Sequence, residues 1–302
     1  MSRKPPRGPR RTDAPLPAED ARPRDVKPWG EGPDGGGRKR PGGPAHGPRR
    51  GGGSREAPAF RRASADLATL YGFHAVREAL TAGKRKLLDL WCTPPAAEKL
   101  AAEIAASGLT PRTVSNDDLS RRLGADAVHQ GVMLEARPIE AIDLSEIANN
   151  SGVILVLDQV TDPHNVGAIL RTAAAFAVDA IVTTERHSPE MSGVLAKAAS
   201  GGLEHVPIAS VVNLARALEE LGDMGYLRVG LDSDGPASLE NSPLSRPLAL
   251  VLGAEGKGLR RLSRENCDIL ARLDMPGAIR SLNVSNACAV ALATTRLKLA
   301  AS

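Results

Sequence analysis

Two runs of five apolar residues, Val153-Ile-Leu-Val-Leu and Leu248-Ala-Leu-Val-Leu, constrain this chain more than any other feature. A strand with one wetted face alternates apolar and polar side chains. An unbroken apolar run is the mark of a strand covered on both faces, as in a parallel sheet between helix layers. The segments around the two runs fit that architecture. Further strands are predicted at Ala180–Thr184, Leu227–Asp232 and Ile269–Met275, with the two runs extending over Val153–Val160 and Leu248–Leu252. Helices are predicted at Val166–Ala177, Gly193–Gly201, Asn213–Leu221 and Val284–Leu299, so strands and helices alternate to the end of the chain. No internal repeat suggests a solenoid.

The preceding residues divide into three parts. Residues 1–65 hold 12 Pro, 12 Gly and 16 Lys or Arg against 7 Asp or Glu. Such a segment cannot bury enough apolar surface to offset its chain entropy, and it reads as a disordered basic arm. It carries +9 of formal charge and the remaining residues −5, so the net +4 belongs to the arm. A cationic arm binds polyanions by releasing their counterions; a solvated extension without a partner is the bland alternative. Residues 66–137 read as a small α/β unit, with helices at Ala75–Ala82 and Ala96–Ser107 and strands at Leu87–Cys92 and Val132–Ala136. Residues 138–152 read as a linker with room for one helical turn, and 153–302 as the main α/β domain.

No stretch approaches the roughly 20 apolar residues that span a bilayer, and the first residues lack the apolar core of a signal peptide, so a cytoplasmic protein is expected. Cys92, Cys267 and Cys288 are far apart and unsupported by His or Cys at ligand spacing. They read as reduced thiols packed among apolar groups, with neither a disulfide frame nor a metal site expected.

In open parallel sheets ligands bind beyond the carboxyl ends of strands. Three such loops are unusual. Residues 158–172, Asp158-Gln-Val-Thr-Asp-Pro-His-Asn-Val-Gly-Ala-Ile-Leu-Arg-Thr, contain a turn, a helix start near Asn165 and Arg171 about two turns further on. Turn chemistry and an ordinary exposed arginine would explain them equally. Residues 253–259, Gly253-Ala-Glu-Gly-Lys-Gly-Leu, are dense in glycine but fail both nucleotide-loop patterns: Val251 and Gly258 stand where a phosphate-binding loop needs Gly and Ser or Thr, and the glycines do not follow Gly-x-Gly-x-x-Gly. What remains is a turn where backbone can approach a ligand, with Glu255 inside it; that glutamate could equally cap the helix near Arg260. Residues 275–287, Met275-Pro-Gly-Ala-Ile-Arg-Ser-Leu-Asn-Val-Ser-Asn-Ala, place Ser281, Asn283 and Ser285 at the start of the last helix, more polar groups than capping needs.

Together and in this order, the three loops resemble the signature motifs of the SpoU family, the TrmH-like branch of the SPOUT RNA methyltransferases. The likeness runs from Val153 to the C-terminus. Tyr-Gly-Phe-His-Ala-Val-Arg-Glu-Ala-Leu at 71–80 and Val-His-Gln-Gly-Val at 128–132 extend it to that family's small RNA-substrate-binding domain, in the branch that methylates a guanosine ribose of large-subunit ribosomal RNA. The resemblance implies a parallel-sheet domain with a trefoil knot, S-adenosylmethionine as methyl donor, structured RNA as substrate, and a homodimer whose sites draw on both subunits. It implies functional roles for Asn165, Arg171, Glu255, Ser281 and Asn283, and donor-binding roles for Gly253, Leu273 and Leu282. Asp274 and Asn286 depart from the family pattern at the edge of the donor loop. The motifs leave two alternatives open: the same chemistry on transfer RNA, or a silent RNA-binding protein that keeps the fold.

Overall fold

The computed structural model describes residues 58–147, 152–186 and 193–301. Most of the basic arm and the turn at 149–151 therefore lie outside the described residues.

The small unit is built from β1 (Ala68–Tyr71), α1 (Phe73–Ala82), β2 (Leu87–Cys92), α2 (Pro94–Lys99), α3 (Ala101–Ser107), β3 (Arg112–Thr113), α4 (Asn116–Leu123) and β4 (Val132–Ala136). Its sheet runs β1-β4-β2-β3, antiparallel except for the β2–β3 pair. The helix expected over Ala96–Ser107 is two helices, broken at Leu100. Pro94 and Pro95 start the first of them, because a proline at the first helical turn has no amide to lose. The polar helix α4 is set by a capping box: Ser115 accepts from the Asp118 amide, and Asp118 accepts from Ser115.

Packing of the small unit begins before Asp66. Phe60 lies 4.7 Å from the Trp91 ring, and Arg61 Nε donates to Asp89 at 2.6 Å. Trp91 and Met133 are apolar side chains on the outer face of the sheet, and they draw Phe60 onto them. The boundary expected at residue 65 comes from composition, which does not register one aromatic anchor among prolines and glycines.

A 3₁₀ turn at Leu144–Ile147 supplies the helical turn expected of the connecting segment, and an Ile142–Ala209 bridge ties that segment to the larger sheet. The larger unit then follows as β5 (Val153–Asp158), α5 (Pro163–Ala175), β6 (Ala180–Thr184), α6 (Gly193–Ala199), β7 (Ile208–Val211), α7 (Leu214–Asp223), β8 (Leu227–Leu231), β9 (Ala237–Ser238), β10 (Leu248–Gly253), α8 (Arg261–Glu265), β11 (Ile269–Arg272) and α9 (Val284–Ala301). Its seven strands are parallel in the order β7-β6-β5-β10-β8-β11-β9. The two apolar runs are paired neighbours, Val153 opposite Leu248 through Asp158 opposite Gly253.

Alternation along these strands fills both faces. Leu155, Leu157, Leu250 and Leu252 join Ile169 and Leu170 of α5 and Cys288 and Leu292 of α9 in one core. Ile154, Val156, Ala249 and Val251 join Leu214, Leu218 and Leu221 of α7 in the other. Double coverage of these central strands is why their sequence shows no polar alternation.

The two units are clamped together. Arg85 and Glu204 form a forked pair, Nε to Oε2 at 3.1 Å and Nη2 to Oε1 at 2.6 Å, with both side chains almost wholly buried at 3% and 2% exposure. His205 Nε2 lies 2.9 Å from Glu78 Oε2 beside them. Among the described residues no helix is long and apolar enough to cross a membrane.

The three cysteines carry free thiols. Burial pushes the Cys92 thiol up to about 11 and those of Cys267 and Cys288 to about 12. None is a thiolate at neutral pH.

Candidate active site

The three unusual loops converge at the carboxyl ends of β5, β10 and β11. Parallel register does the first part of the work, because pairing Asp158 with Gly253 brings the loops after β5 and β10 side by side. Asp158, wholly buried, then accepts from the Arg260 amide at 2.9 Å and from Arg260 Nε at 2.5 Å. This pair spans 102 residues of chain and holds the glycine-rich turn against the first loop.

On that frame sits a triangle of side chains. Asn165 Nδ2 donates to Glu255 Oε1 at 3.0 Å, Asn283 Nδ2 donates to the same oxygen at 2.6 Å, and Asn283 Nδ2 lies 2.8 Å from Asn165 Oδ1. The Val284 amide also donates to Glu255 Oε1, at 3.3 Å. Glu255 thus helps to satisfy the start of α9, 29 residues away, and not the start of α8 near Arg260. Asn283 Oδ1 accepts from the Ser285 amide at 2.9 Å and from Ser285 Oγ at 2.5 Å, which is how two of the three polar residues at this helix start are used. The N-cap of α5 is Asp162, whose carboxylate accepts from the His164 amide at 3.0 Å. Asn165 is therefore released from capping, and its buried amide belongs to the triangle.

Next to the triangle is a cavity of about 380 Å³, lined by Gly253, Glu255, Leu273, Ser281 and Leu282, with Asp232 and Asp234 on the loop after β8. Ligand sites commonly measure about 300–1,000 Å³. The turn that forms its floor needs glycine at 253, where a Cβ would stand 2.2 Å from the Gly258 carbonyl carbon. Leu231, Leu252, Leu273, Leu282 and Val284 offer apolar contact, and carboxylates face the same space. Such a lining suits an adenosine carrying a positively charged sulfonium and amino-acid tail. Sequence reading did not find the Leu231–Asp234 contribution. Its loop carries no motif, and Asp232 is placed by an ion pair with Arg264 at 2.9 Å.

Arg171 is elsewhere. It lies six residues beyond Asn165 on α5, about 9 Å along the axis and on another face. It lines a separate cavity of about 650 Å³ with His164, Tyr71, Asp126, Val128 and Lys197, between α5, α6 and the 124–131 loop of the small unit. Arg171 is exposed and has no hydrogen bond or ion pair among the described residues. Of the predicted residues, one chain brings together Asn165, Glu255, Ser281, Asn283, Gly253, Leu273 and Leu282, and leaves Arg171 apart.

A doubly covered parallel sheet, with a glycine-floored cavity and an amide–carboxylate triangle at its strand ends, is compatible with a methyltransferase that uses S-adenosylmethionine. Comparison with known proteins fixes the kind. The chain belongs to the SpoU rRNA methylase family, whose model matches residues 152–293, preceded by a match at residues 69–141 to the RNA 2′-O ribose methyltransferase substrate-binding model. It is 37% identical over 234 residues to the 23S rRNA (guanosine-2′-O-)-methyltransferase RlmB of Pseudomonas putida, covering 75% of this chain and 94% of that one. The protein of the same name from Pseudomonas aeruginosa is 39% identical, covering 74% and 93%. Among solved structures, an AdoMet-bound rRNA methyltransferase from Sinorhizobium meliloti matches with a TM-score of 0.66 at 25% identity, over 78% of this chain and 88% of that one. The SpoU methyltransferase AviRb from Streptomyces viridochromogenes matches in fold, with a TM-score of 0.67 at 20% identity over 78% and 91%.

Proposed function

We propose that this protein transfers the methyl group of S-adenosylmethionine to the 2′-hydroxyl of a guanosine ribose in large-subunit ribosomal RNA. The observation that carries the reading is the Asn165–Glu255–Asn283 triangle, closed beside a cavity that suits the donor. Identity of 37–39% over 93–94% of relatives named for that reaction supports the substrate.

The sulfonium supplies an already activated methyl group. Gly253, Leu273 and Leu282 would hold the donor, and Glu255, Asn165 and Asn283 would fix the loops around it. Ser281, exposed on the cavity wall, would face the substrate. A ribose hydroxyl is a weak nucleophile that must be aligned and must lose its proton. A guanidinium is too weak an acid to cycle as a base, so Arg171 is read as a clamp on ribose or phosphate whose field favours alkoxide character.

Because Arg171 lies outside its own chain's donor cavity, we infer a homodimer in which Arg171 of one subunit serves the donor of the other. Family membership brings with it the trefoil threading of this sheet. The domain plan that goes with this reading is a basic arm at 1–65 adding nonspecific RNA affinity, a substrate-binding domain at 66–137, a linker at 138–152 and a methyltransferase domain at 153–302, in a cytoplasmic protein.

The reading is tested by incubating the protein with labelled S-adenosylmethionine and, separately, unmodified large-subunit ribosomal RNA or bulk transfer RNA, followed by nucleoside mass spectrometry. Labelled 2′-O-methylguanosine in ribosomal RNA alone is expected. Label in transfer RNA alone overturns the substrate and keeps the chemistry.

A further inference from the structure

The cavity that holds Arg171 has a second cation for which that reading gives no use. Lys197, on α6, points toward the small unit. Its ammonium donates to the Val128 carbonyl, stands 5.9 Å from the centre of the Tyr71 ring, and occupies space beside Gly72 that a side chain there would fill. A Cβ on Gly72 would lie 2.8 Å from Lys197 Nζ, and the backbone there is at φ +87°. The positive φ is what calls for glycine at 72, and its missing side chain leaves room for the ammonium.

Among the described residues the charge on Lys197 meets no carboxylate. By contrast Arg85, another cation at the junction of the two units, is forked onto Glu204. Partial burial lowers its pKa below the ordinary lysine value, and its charge in turn helps to lower that of His129. A half-buried ammonium held by one carbonyl and an aromatic ring keeps its affinity for an anion. Arg171, likewise unpaired, lines the same cavity, with Asp126 as the carboxylate in that lining. Two cations that have no carboxylate partner among the described residues and face one space make a place for an anion, and the polyanion this protein would handle is RNA.

We propose that Lys197 binds a backbone phosphate of the substrate RNA in the cavity it shares with Arg171, exchanging the Val128 carbonyl for that phosphate. The inference rests on the reading of Arg171 as a substrate contact. The exchange is local, because the ammonium swings on a flexible stem and Val128 lies in an exposed loop. It also couples the domains: a group that helps to hold the 124–131 loop in the free protein is the one that grips substrate when RNA arrives.

Lys197→Gln separates this role from a structural one. Its amide keeps a donor on a stem one bond shorter than that of lysine, but it carries no charge. RNA affinity of the full chain for an unmodified large-subunit ribosomal RNA transcript is measured by fluorescence anisotropy across a salt series. Lys197→Gln is expected to weaken binding about tenfold at low salt and to reduce the slope of log affinity against log salt by about 0.7–1. Lys197→Arg should restore both, and donor affinity should be unchanged in each. In methylation kinetics KM should rise with kcat nearly unaltered. A slope for Lys197→Gln equal to that of the unmodified protein overturns the proposal, whatever happens to thermal stability. If the protein binds RNA with the expected change in slope but methylates neither RNA, the functional reading fails and the phosphate site stands.

Discussion

Asn283 Nδ2 lies 2.6 Å from Glu255 Oε1, joining the loop before the last helix to the glycine-rich turn across 28 residues of chain. Because the same oxygen takes bonds from Asn165 and the Val284 amide, one carboxylate holds together all three loops that surround the proposed donor cavity. Hydrogen bonds to a charged acceptor are worth more than neutral ones. Glu255→Ala is therefore expected to reduce S-adenosylmethionine affinity by about tenfold to a hundredfold, with Glu255→Gln falling between it and the unmodified protein. Calorimetric titration of the donor checks this; unaltered affinity in Glu255→Ala would falsify the organising role.

Gly253→Ala introduces a Cβ 2.2 Å from the backbone of Gly258, and the obstacle cannot rotate away. The turn must open, at a cost of about 1–3 kcal/mol. Donor binding should be lost while far-ultraviolet circular dichroism stays the same. Retained donor binding would mean that the turn tolerates displacement and does not form the cavity floor.

The buried Arg85–Glu204 pair bridges the two units, so deleting one partner strands a charge. Glu204→Ala is expected to destabilise the protein by about 3–5 kcal/mol, whereas replacing both residues with apolar ones of similar volume should cost far less. Urea unfolding of the single and double variants measures the difference. Equal losses in both would show that packing, and not the stranded charge, is responsible.

His129 ties the 124–131 loop to α4. Its Nδ1 accepts from the Gly131 amide at 3.1 Å, so Nε2 carries the proton and faces Ser120 Oγ at 3.1 Å. Protonating Nδ1 breaks the first bond. Burial, followed by the charge of Lys197, holds its pKa below the ordinary 6.5. A histidine with a depressed folded pKa binds more protons unfolded, so its stabilising contribution is complete above pH 6.5 and is lost as pH falls from there through the folded value. Stability measured from pH 7.5 downward should decline in that window, and His129→Asn should remove part of the decline. A pH dependence unchanged in the variant contradicts the assignment.

In the proposed homodimer, the separation of Arg171 from the proposed donor cavity predicts complementation between subunits. Arg171→Ala should retain donor binding and lose methyl transfer, and Glu255→Ala should also be inactive. Unfolding and refolding the two together creates mixed dimers in which one site has both groups intact, so activity should return. Mixtures as inactive as their components would place both groups in one subunit's site.

Much of this arrangement was legible in the residues. The central strands announced themselves because double coverage removes polar alternation, and Leu248–Leu252 was placed within one residue of its observed end. The short elements were not: β9 has two residues, and its pairing with β11 leaves no periodic trace. The helix α4 carries one local signal, the Ser115-x-x-Asp118 capping box, before a segment too polar to show apolar periodicity. At the site, the loops and their residue types were visible, but bonds such as Asp158 to Arg260 depend on register across 102 residues and cannot be read locally. The helical phase of α5 already set Arg171 apart from Asn165; only the packing of α6 and the small unit shows which cavity it faces.

The most direct test of the central claim is quantitative mass spectrometry of ribosomal and transfer RNA from the organism that encodes this protein, with the gene intact, deleted, and restored as the native or Arg171→Ala form. The account predicts that deletion removes one 2′-O-methylguanosine from large-subunit ribosomal RNA, that the native gene restores it, and that Arg171→Ala does not. An unchanged ribosomal RNA profile on deletion, or a loss confined to transfer RNA, would contradict it.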